Sequence, residues 1–424
     1  MFSSFSHFVN MDIQEISRQL FICAAKSSNS EHKRLHLIDL PTLIPKLAQD
    51  IYDGAYRPTR LTVFAVTDPK LREIFAPAYE DRLVQHWLVM HIETWFDSRF
   101  IDDSFANRKT KGVFAAIQRL QHFMHKPQHR YYLKLDIRAF FPSIDRGVLL
   151  DLWDRALPKM QFDEQTKHQI NHVATAIITQ SPIHPPPIIS GDLRLLYQIP
   201  ANKSLFNKPP HTGLPIGSLT SQFFANVYLN ELDQFVKQQR KVFGYLRYVD
   251  DFVLLARTRT ELVAHQIAIE AFVREKLHLE IHPHKIVLQR VNQGVHFLGA
   301  IVHKHHRLSR QRTVRALKKR LNNFNRLILS FSAPRGYRSD IFSGTWARWL
   351  RDNTAFDEHT HEPTPALLQR MLATINSYYG VLKHANTYTL RKSIFHKHLG
   401  ELEKYFAPID SSYSHLGIQE PWKH

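Results

Sequence analysis

Cysteine is almost absent: Cys23 is the only one in 424 residues. A single thiol excludes a disulfide framework and any zinc site built on cysteines, and it predicts a reducing, cytoplasmic setting. Long apolar runs are missing too. None approaches the roughly 18 residues that span a bilayer, so no membrane partner is expected. The opening MFSSFSHFVNMDIQEI has neither the basic start nor the apolar core of a signal peptide. Positive charge, by contrast, is abundant. Lys and Arg number 56 against 38 Asp and Glu, a formal net charge of +18, with 27 His besides. Such an excess draws in polyanions, of which nucleic acid is the commonest.

Helical periodicity predicts helices near 12–25, 42–52, 80–98 and 113–125, with a hairpin or extended basic element over 60–77. YYLKLDIRAFF (131–141) predicts a strand that turns at Pro142, with helix following to about 180. Eight prolines within 181–215 forbid a long regular element, so this stretch reads as an inserted loop or small hairpin. A helix over 218–240, a strand pair around Asp250, a helix over 259–277 and two short strands, KIVLQRV and VHFLGAIV, come next. Beyond 303 the chain reads as wholly helical. Ser309 is the expected N-cap of one helix, whose apolar face carries Val314, Leu317, Leu321, Phe324 and Ile328. Thr364-Pro365 is the expected start of another that runs to Tyr379 and ends at Gly380. The strand–helix–strand–strand order of the middle predicts an α+β domain with an antiparallel core.

The segment GYLRYVDDFVLLAR (244–257) sets Asp250 and Asp251 inside an otherwise apolar strand pair, where charge is costly unless offset. Asp is common at turns, so the pair alone reads equally as two solvated turn residues. LKLDIRAFF adds Asp136 at the end of another apolar strand. Carboxylates converging from two strand ends suit Mg²⁺ or Mn²⁺. Two such ions about 4 Å apart would activate a 3′-hydroxyl and stabilise a leaving pyrophosphate.

In these residues the chain resembles the reverse transcriptases. YVDD (248–251) is similar to their catalytic hairpin and LKLDIRAFFPSID (133–145) to their first palm motif. GLPIGSLTSQFFANVYLNELD (213–233) resembles the template- and nucleotide-supporting segment. KLHLEIHPHKIVL (276–288) with VHFLGAIV (295–302) resembles the last palm motifs. KLREIFAPAYEDRLVQHWL (70–88) and DDSFANRKTKG (102–112) resemble finger motifs. The resemblance is collinear over about 50–302. It implies an α+β right-hand polymerase with helical fingers (1–130), an antiparallel-sheet palm (131–302, insertion about 181–212) and an all-helical thumb and C-terminal extension (303–424).

The resemblance also implies roles. Asp136, Ile137, Asp250 and Asp251 form the metal site for two Mg²⁺ ions, with Asp251 the weaker or outer ligand, and Mn²⁺ as a substitute. Lys285 is a candidate general acid. Lys70 and Arg72 hold the triphosphate, and Arg82 lies near the templating base. Ile216, Gly217 and Gln222 line the nucleotide region. Phe141, five residues after Asp136, is the expected gate against a 2′-hydroxyl, unless it simply packs in the core beside Phe140. Arg108, Lys109 and Lys111 are expected on nucleic acid. So are Arg312, Arg315, Lys318 and Lys319, because 303–326 holds nine Lys/Arg and no acid. His303, His305 and His306 read as surface basic residues rather than a metal site.

IGxxxSQ (216–222) resembles the diversity-generating-retroelement and antiphage-defence branches. The apolar Ile216 removes amide hydrogen bonds near the nucleotide, which weakens selectivity. The implied function is RNA-directed DNA synthesis on a dedicated noncoding RNA, with dNTPs and a DNA primer, in antiphage defence. Error-prone synthesis beside an accessory protein, template-independent or protein-primed synthesis, and a non-catalytic RNA-binding or maturation role are the alternatives. A small accessory protein, a second reverse transcriptase and a second copy of the chain complete the expected partners.

Overall fold

The computed structural model describes residues 11–26, 40–67, 70–332 and 362–422. These pack as two units. The first takes the chain to 119 together with 128–289, and the second takes 120–127 and everything from 290 onward. Residues 1–10, on which the signal-peptide reading mainly rests, lie outside the described residues.

The first unit opens with α1 (Ile13–Lys26) and α2 (Leu40–Tyr52), whose apolar stripes face one another. Strands β1 (Thr62–Val66) and β2 (Arg72–Ala76) form the expected hairpin, in register from Thr62 opposite Ala76 to Val66 opposite Arg72. Helix α3 (Tyr79–Asp97) buries Leu83, Val84, Trp87, Leu88 and Ile92 in the same core. Helix α4 (Val113–His125) ends within the second unit.

The central sheet has the order β5 (Gly244–Tyr248), β6 (Asp251–Ala256), β3 (Tyr131–Asp136), β7 (Val287–Arg290), with β6 antiparallel to both β5 and β3. Five consecutive residues of β6, Phe252 to Ala256, are buried. The strand is covered on both faces, which explains its continuous apolar run. Between β3 and β5 lie the short α5 (Phe140–Ser143), α6 (Arg146–Ala156), α7 (Glu164–Thr179), β4 (Ile188–Ile189), α8 (Leu193–Tyr197) and α9 (Leu219–Gln234). After β6 comes α10 (Arg259–Leu277), capped at its start by the Thr258 hydroxyl. Asp145 and Asp163 likewise cap α6 and α7 through their carboxylates.

The Pro-rich stretch departs from the expected loop or hairpin. Its β4 adds to the β1–β2 hairpin as a third strand, parallel to β1 at Thr62 and Val63. Pro185, Pro186 and Pro187 immediately before it cannot donate to a ladder, which bars extension of β4 at that end.

The second unit holds a meander of β8 (Val295–Phe297), β9 (Ala300–Val302) and β10 (Arg307–Ser309), then α11 (Gln311–Ser332), α12 (Pro365–Leu382) and α13 (Tyr388–His398). A hairpin of β11 (Phe406–Pro408) and β12 (Leu416–Ile418) ends it. Its core joins Leu317, Leu321, Phe324 and Ile328 of α11 to Leu368, Met371, Ile375 and Tyr379 of α12. The region after 303 is therefore not wholly helical. Ser309 is not an N-cap either: it pairs with Ala300 in β10, its hydroxyl is buried without a hydrogen-bond partner, and the helix begins at Gln311. Thr364 does cap α12, accepting from the Leu367 amide, but the helix runs through Gly380 to Leu382. Burial of Tyr379 and Leu382 on one face outweighs the roughly 1 kcal/mol that a helical glycine costs.

Candidate active site

The antiparallel register of β3 and β6 sets Asp136 directly opposite Asp251. Tyr248 pairs with Asp251 across the β5–β6 hairpin, so its two-residue apex is Val249-Asp250 rather than Asp250-Asp251. Three carboxylates thus collect at one end of the sheet. Asp250 is pushed up to about 6, first by burial and then by the charges of Asp136 and Asp251; its own backbone amide and Lys285 oppose the shift. Two ammonium groups partly offset the acids. Lys285 Nζ lies 2.6 Å from Asp136 Oδ1, and Lys134 Nζ lies 3.0 Å from Asp251 Oδ2.

Two non-glycine residues with left-handed backbone flank this cluster, Val249 (φ 55°) and Ala139 (φ 46°). Such conformations cost on the order of 1–3 kcal/mol each and persist only where the surroundings hold them. For the β-branched Val249 the cause is visible. Arg247 Nη1 donates to the Val249 carbonyl at 3.0 Å, while the Ile137 amide donates to the Asp250 carbonyl at 3.3 Å. Arg247 is itself held in place. It pairs with Asp233 through Nε at 2.8 Å and Nη2 at 2.6 Å, and it reaches Asn226 Oδ1 and Ser104 Oγ at 3.1 Å each. Both side chains of the pair are fully buried. Tyr245 adds a hydroxyl bond of 2.6 Å to Asp233. Segments from three distant parts of the chain therefore converge on the turn that carries Asp250.

The structure separates Phe140 from Phe141. Phe140 is in the core, whereas Phe141 is half-buried, 5.3 Å from the Phe140 ring between centroids. The Leu214 amide donates to the Phe141 carbonyl at 2.9 Å, joining this turn to the LPIG segment. Ile216 is half-buried, and its carbonyl accepts from the Phe75 amide of β2 at 2.8 Å. Gly217 has φ 123°, and a Cβ there would come within 2.8 Å of the Phe75 carbonyl and of Ile74 Cγ2. Only glycine admits both the angle and the approach. Lys70, Arg72, Arg82 and Gln222 are exposed, with the Arg82 guanidinium 5.5 Å from the Tyr79 ring centroid.

The expected phosphate-binding cations divide. Arg108 departs from the expectation. Its side chain is 5% exposed, bonded to Asp97 Oδ1 at 2.6 Å and to the carbonyls of Ile101, Ser104 and Asp97. A guanidinium so engaged serves the local fold rather than a phosphate. Lys109 pairs with Glu93 at 2.5 Å but stays well exposed, and Lys111 donates to the Asp102 carbonyl at 2.8 Å. In the second unit Arg312, Arg315 and Lys319 are exposed on α11 and Lys318 is half-buried.

Sequence reasoning missed Lys134, Arg247, Asp233 and Glu73. Lys134 was legible, since it lies two residues before Asp136 and so on the same strand face. Glu73 is buried inside β2, bonded to Ser204 Oγ at 2.8 Å and to the Leu205 amide, and burial raises its pKa. It anchors the Pro-rich stretch to the finger hairpin.

Whether these residues suit a divalent metal is a question of donor chemistry. Three carboxylates, one of them destabilised by the other two, form a hard-oxygen set with negative charge to spare, which fits Mg²⁺ or Mn²⁺. Among the described residues no group of three His, Cys, Asp or Glu is drawn tightly enough to grip an ion, consistent with lysines standing against two of the acids.

A family model described as reverse transcriptase (RNA-dependent DNA polymerase) matches residues 67–302. The chain is 21% identical to the group II intron-encoded protein LtrA of Lactococcus lactis subsp. cremoris, over 88% of this chain and 71% of that one. It is 22% identical to protein YkfC of Escherichia coli K12, over 63% of this chain and 71% of that one. With the retron Ec73 reverse transcriptase of Escherichia coli it shares 23% identity, over 56% of this chain and 65% of that one. A solved telomerase from Candida albicans superposes with a TM-score of 0.40 at 11% identity, covering 81% of this chain and 64% of that one. More than half of the chain, including all three clustered carboxylates, lies within the matched domain, and the chain belongs to the reverse transcriptase family of RNA-directed DNA polymerases.

Proposed function

We propose that this chain copies a dedicated noncoding RNA into DNA by two-metal nucleotidyl transfer, and that it acts in bacterial antiphage defence. The observation that carries the chemistry is the Asp136–Asp251 pairing across β3 and β6, with Asp250 raised at the adjoining turn. Asp136 and Asp250 are the main metal ligands in this reading and Asp251 the outer one. Ile137 has a buried side chain, so its part is limited to the main chain. Bound Mg²⁺ would lower the pKa of a primer 3′-hydroxyl and neutralise charge on the pyrophosphate. Lys134 and Lys285 keep the carboxylates apart and partly neutralised before a cation arrives. Lys285 then stands within reach of Asp136 as the candidate proton donor to pyrophosphate. Lys70 and Arg72 bind the triphosphate, Arg82 orients the template base, and Phe141 excludes a 2′-hydroxyl. Fingers over 1–130, palm over 131–302 and thumb from 303 are the functional division that accompanies these roles.

A dedicated RNA is supported by the basic composition and by the relatives named for a retron and a group II intron. A second reading, error-prone synthesis of the diversity-generating kind, is favoured by Ile216, whose side chain offers the nucleotide no hydrogen bond. Misincorporation opposite template adenines distinguishes the two.

The deciding experiment is labelled dNTP incorporation on a primed RNA with Mg²⁺, wild type beside Asp250→Ala. Wild-type incorporation that disappears in the variant is expected. Covalently attached DNA on the purified protein would replace this reading with protein-primed synthesis. A phage challenge in which Asp250→Ala protects as well as wild type would favour a non-catalytic RNA-binding role.

A further inference from the structure

Beside the turn that carries Phe141 lies a recess of about 340 Å³ that none of the roles above uses. One wall is Arg138 and Ser143 of that turn, a second is Asn202 and Lys208 of the Pro-rich stretch, and a third is His278 and Glu280 after α10. Its size suits a phosphate with its sugar, at the small end of ligand clefts.

The charges in and around this recess are unevenly matched. Glu280 is taken by Arg138, at 3.0 Å, and Asp145 by His278, at 2.8 Å. Among the described residues no carboxylate lies within ion-pair distance of the Lys208 ammonium, whose hydrogen bond to Ser143 Oγ is long, 3.4 Å. Burial and then the charge of Arg138 push the Lys208 ammonium down, with Glu280 acting the other way. Arg138 is already matched by Glu280, so Lys208 is the cation in the lining that an entering anion would pair. Hydroxyl and amide donors from Ser143 and Asn202 complete a lining suited to oxyanions. No Phe, Tyr or Trp lines the recess, and its one ring, the imidazole of His278, is held by Asp145 at 2.8 Å, so the lining favours a phosphate over a stacked base.

We propose that this recess binds a phosphate group, with Lys208 as its principal cation, and that recruiting it is one purpose of the Pro-rich stretch. The phosphate belongs either to a nucleic-acid strand or to a free nucleotide. This rests on the polymerase reading, and the test separates the two failures.

Lys208→Gln and Lys208→Arg are compared with wild type in salt-dependent binding of oligo(rA) and in KM for dNTP during primed synthesis. Melting temperature serves as the check on folding. If the phosphate is on a strand, Lys208→Gln lowers the slope of log K against log[salt] by about 0.7, the value of one single-strand contact, and Lys208→Arg restores it. If it is on a nucleotide, KM rises several-fold at an unchanged slope. A folded Lys208→Gln with wild-type slope and KM overturns the proposal. Absence of incorporation by wild type itself would instead overturn the polymerase reading.

Discussion

Asp250 carries a pH-sensitive charge in the site. Its carboxyl is raised to about 6 in the folded chain against an ordinary value near 4. The folded state therefore holds a proton between those values that the unfolded state has released. In metal-free buffer this group's contribution to stability is largest below about pH 4 and is lost as pH rises through about 6. Wild type should lose melting temperature across that window relative to Asp250→Asn, in which the component is missing. Synthesis should show the opposite trend, rising through about pH 6 as the carboxylate ionises, with the limb moving to lower pH as Mg²⁺ is raised. A melting difference between wild type and Asp250→Asn that stays flat from pH 4 to 7 would contradict the assignment. Arg247 is the second critical residue. Arg247→Met would leave Asp233 charged and unpaired in a fully buried position, a loss of about 3–5 kcal/mol. Chemical denaturation should show it, with synthesis falling further than stability alone accounts for, because the Val249 carbonyl is released. Asp136, Asp250 and Asp251 could be singled out in the sequence because acids stand out in apolar strands. Arg247 could not, since a lone arginine in GYLRYV looks like an outward-facing strand residue.

At the level of elements, the LPIG segment and strand β2 meet closely near the proposed nucleotide site. Gly217→Ala must either move Phe75 and Ile74 or give up φ 123°, so it should destabilise the chain by more than the 1 kcal/mol of an ordinary glycine replacement. The displaced hairpin carries Arg72, so KM for dNTP should rise more than kcat falls. Steady-state kinetics on primed RNA reads the difference; a kcat loss at constant KM would place the joint outside nucleotide binding. Helix spans were legible to within a few residues, because apolar spacing of 3.6 marks them directly. Short strands were not. β10, β11 and β12 have three residues each, too few for period-two alternation to emerge, and β4 exists only because β1 offers it an edge.

Across the whole molecule, the two units have separate hydrophobic cores, one centred on the sheet and α9, the other on α11 and α12. Phe324, fully buried in the second, should cost about 3–5 kcal/mol when cut to alanine. Calorimetry of Phe324→Ala should show one transition lowered while another keeps its wild-type temperature. A single transition that shifts as a whole would mean the cores melt as one. The sequence by itself determined the family, the order of the motifs, the three carboxylates and the basic face of α11, because each is written in local spacing or residue type. Tertiary structure alone decided that Asp136 faces Asp251, that Asp250 is raised, that Arg247 clamps the Val249 carbonyl and that Lys208 meets Arg138 across a recess. Each of these joins residues far apart in the chain, and their chemistry depends on burial and on charges that only folding brings within a few ångströms.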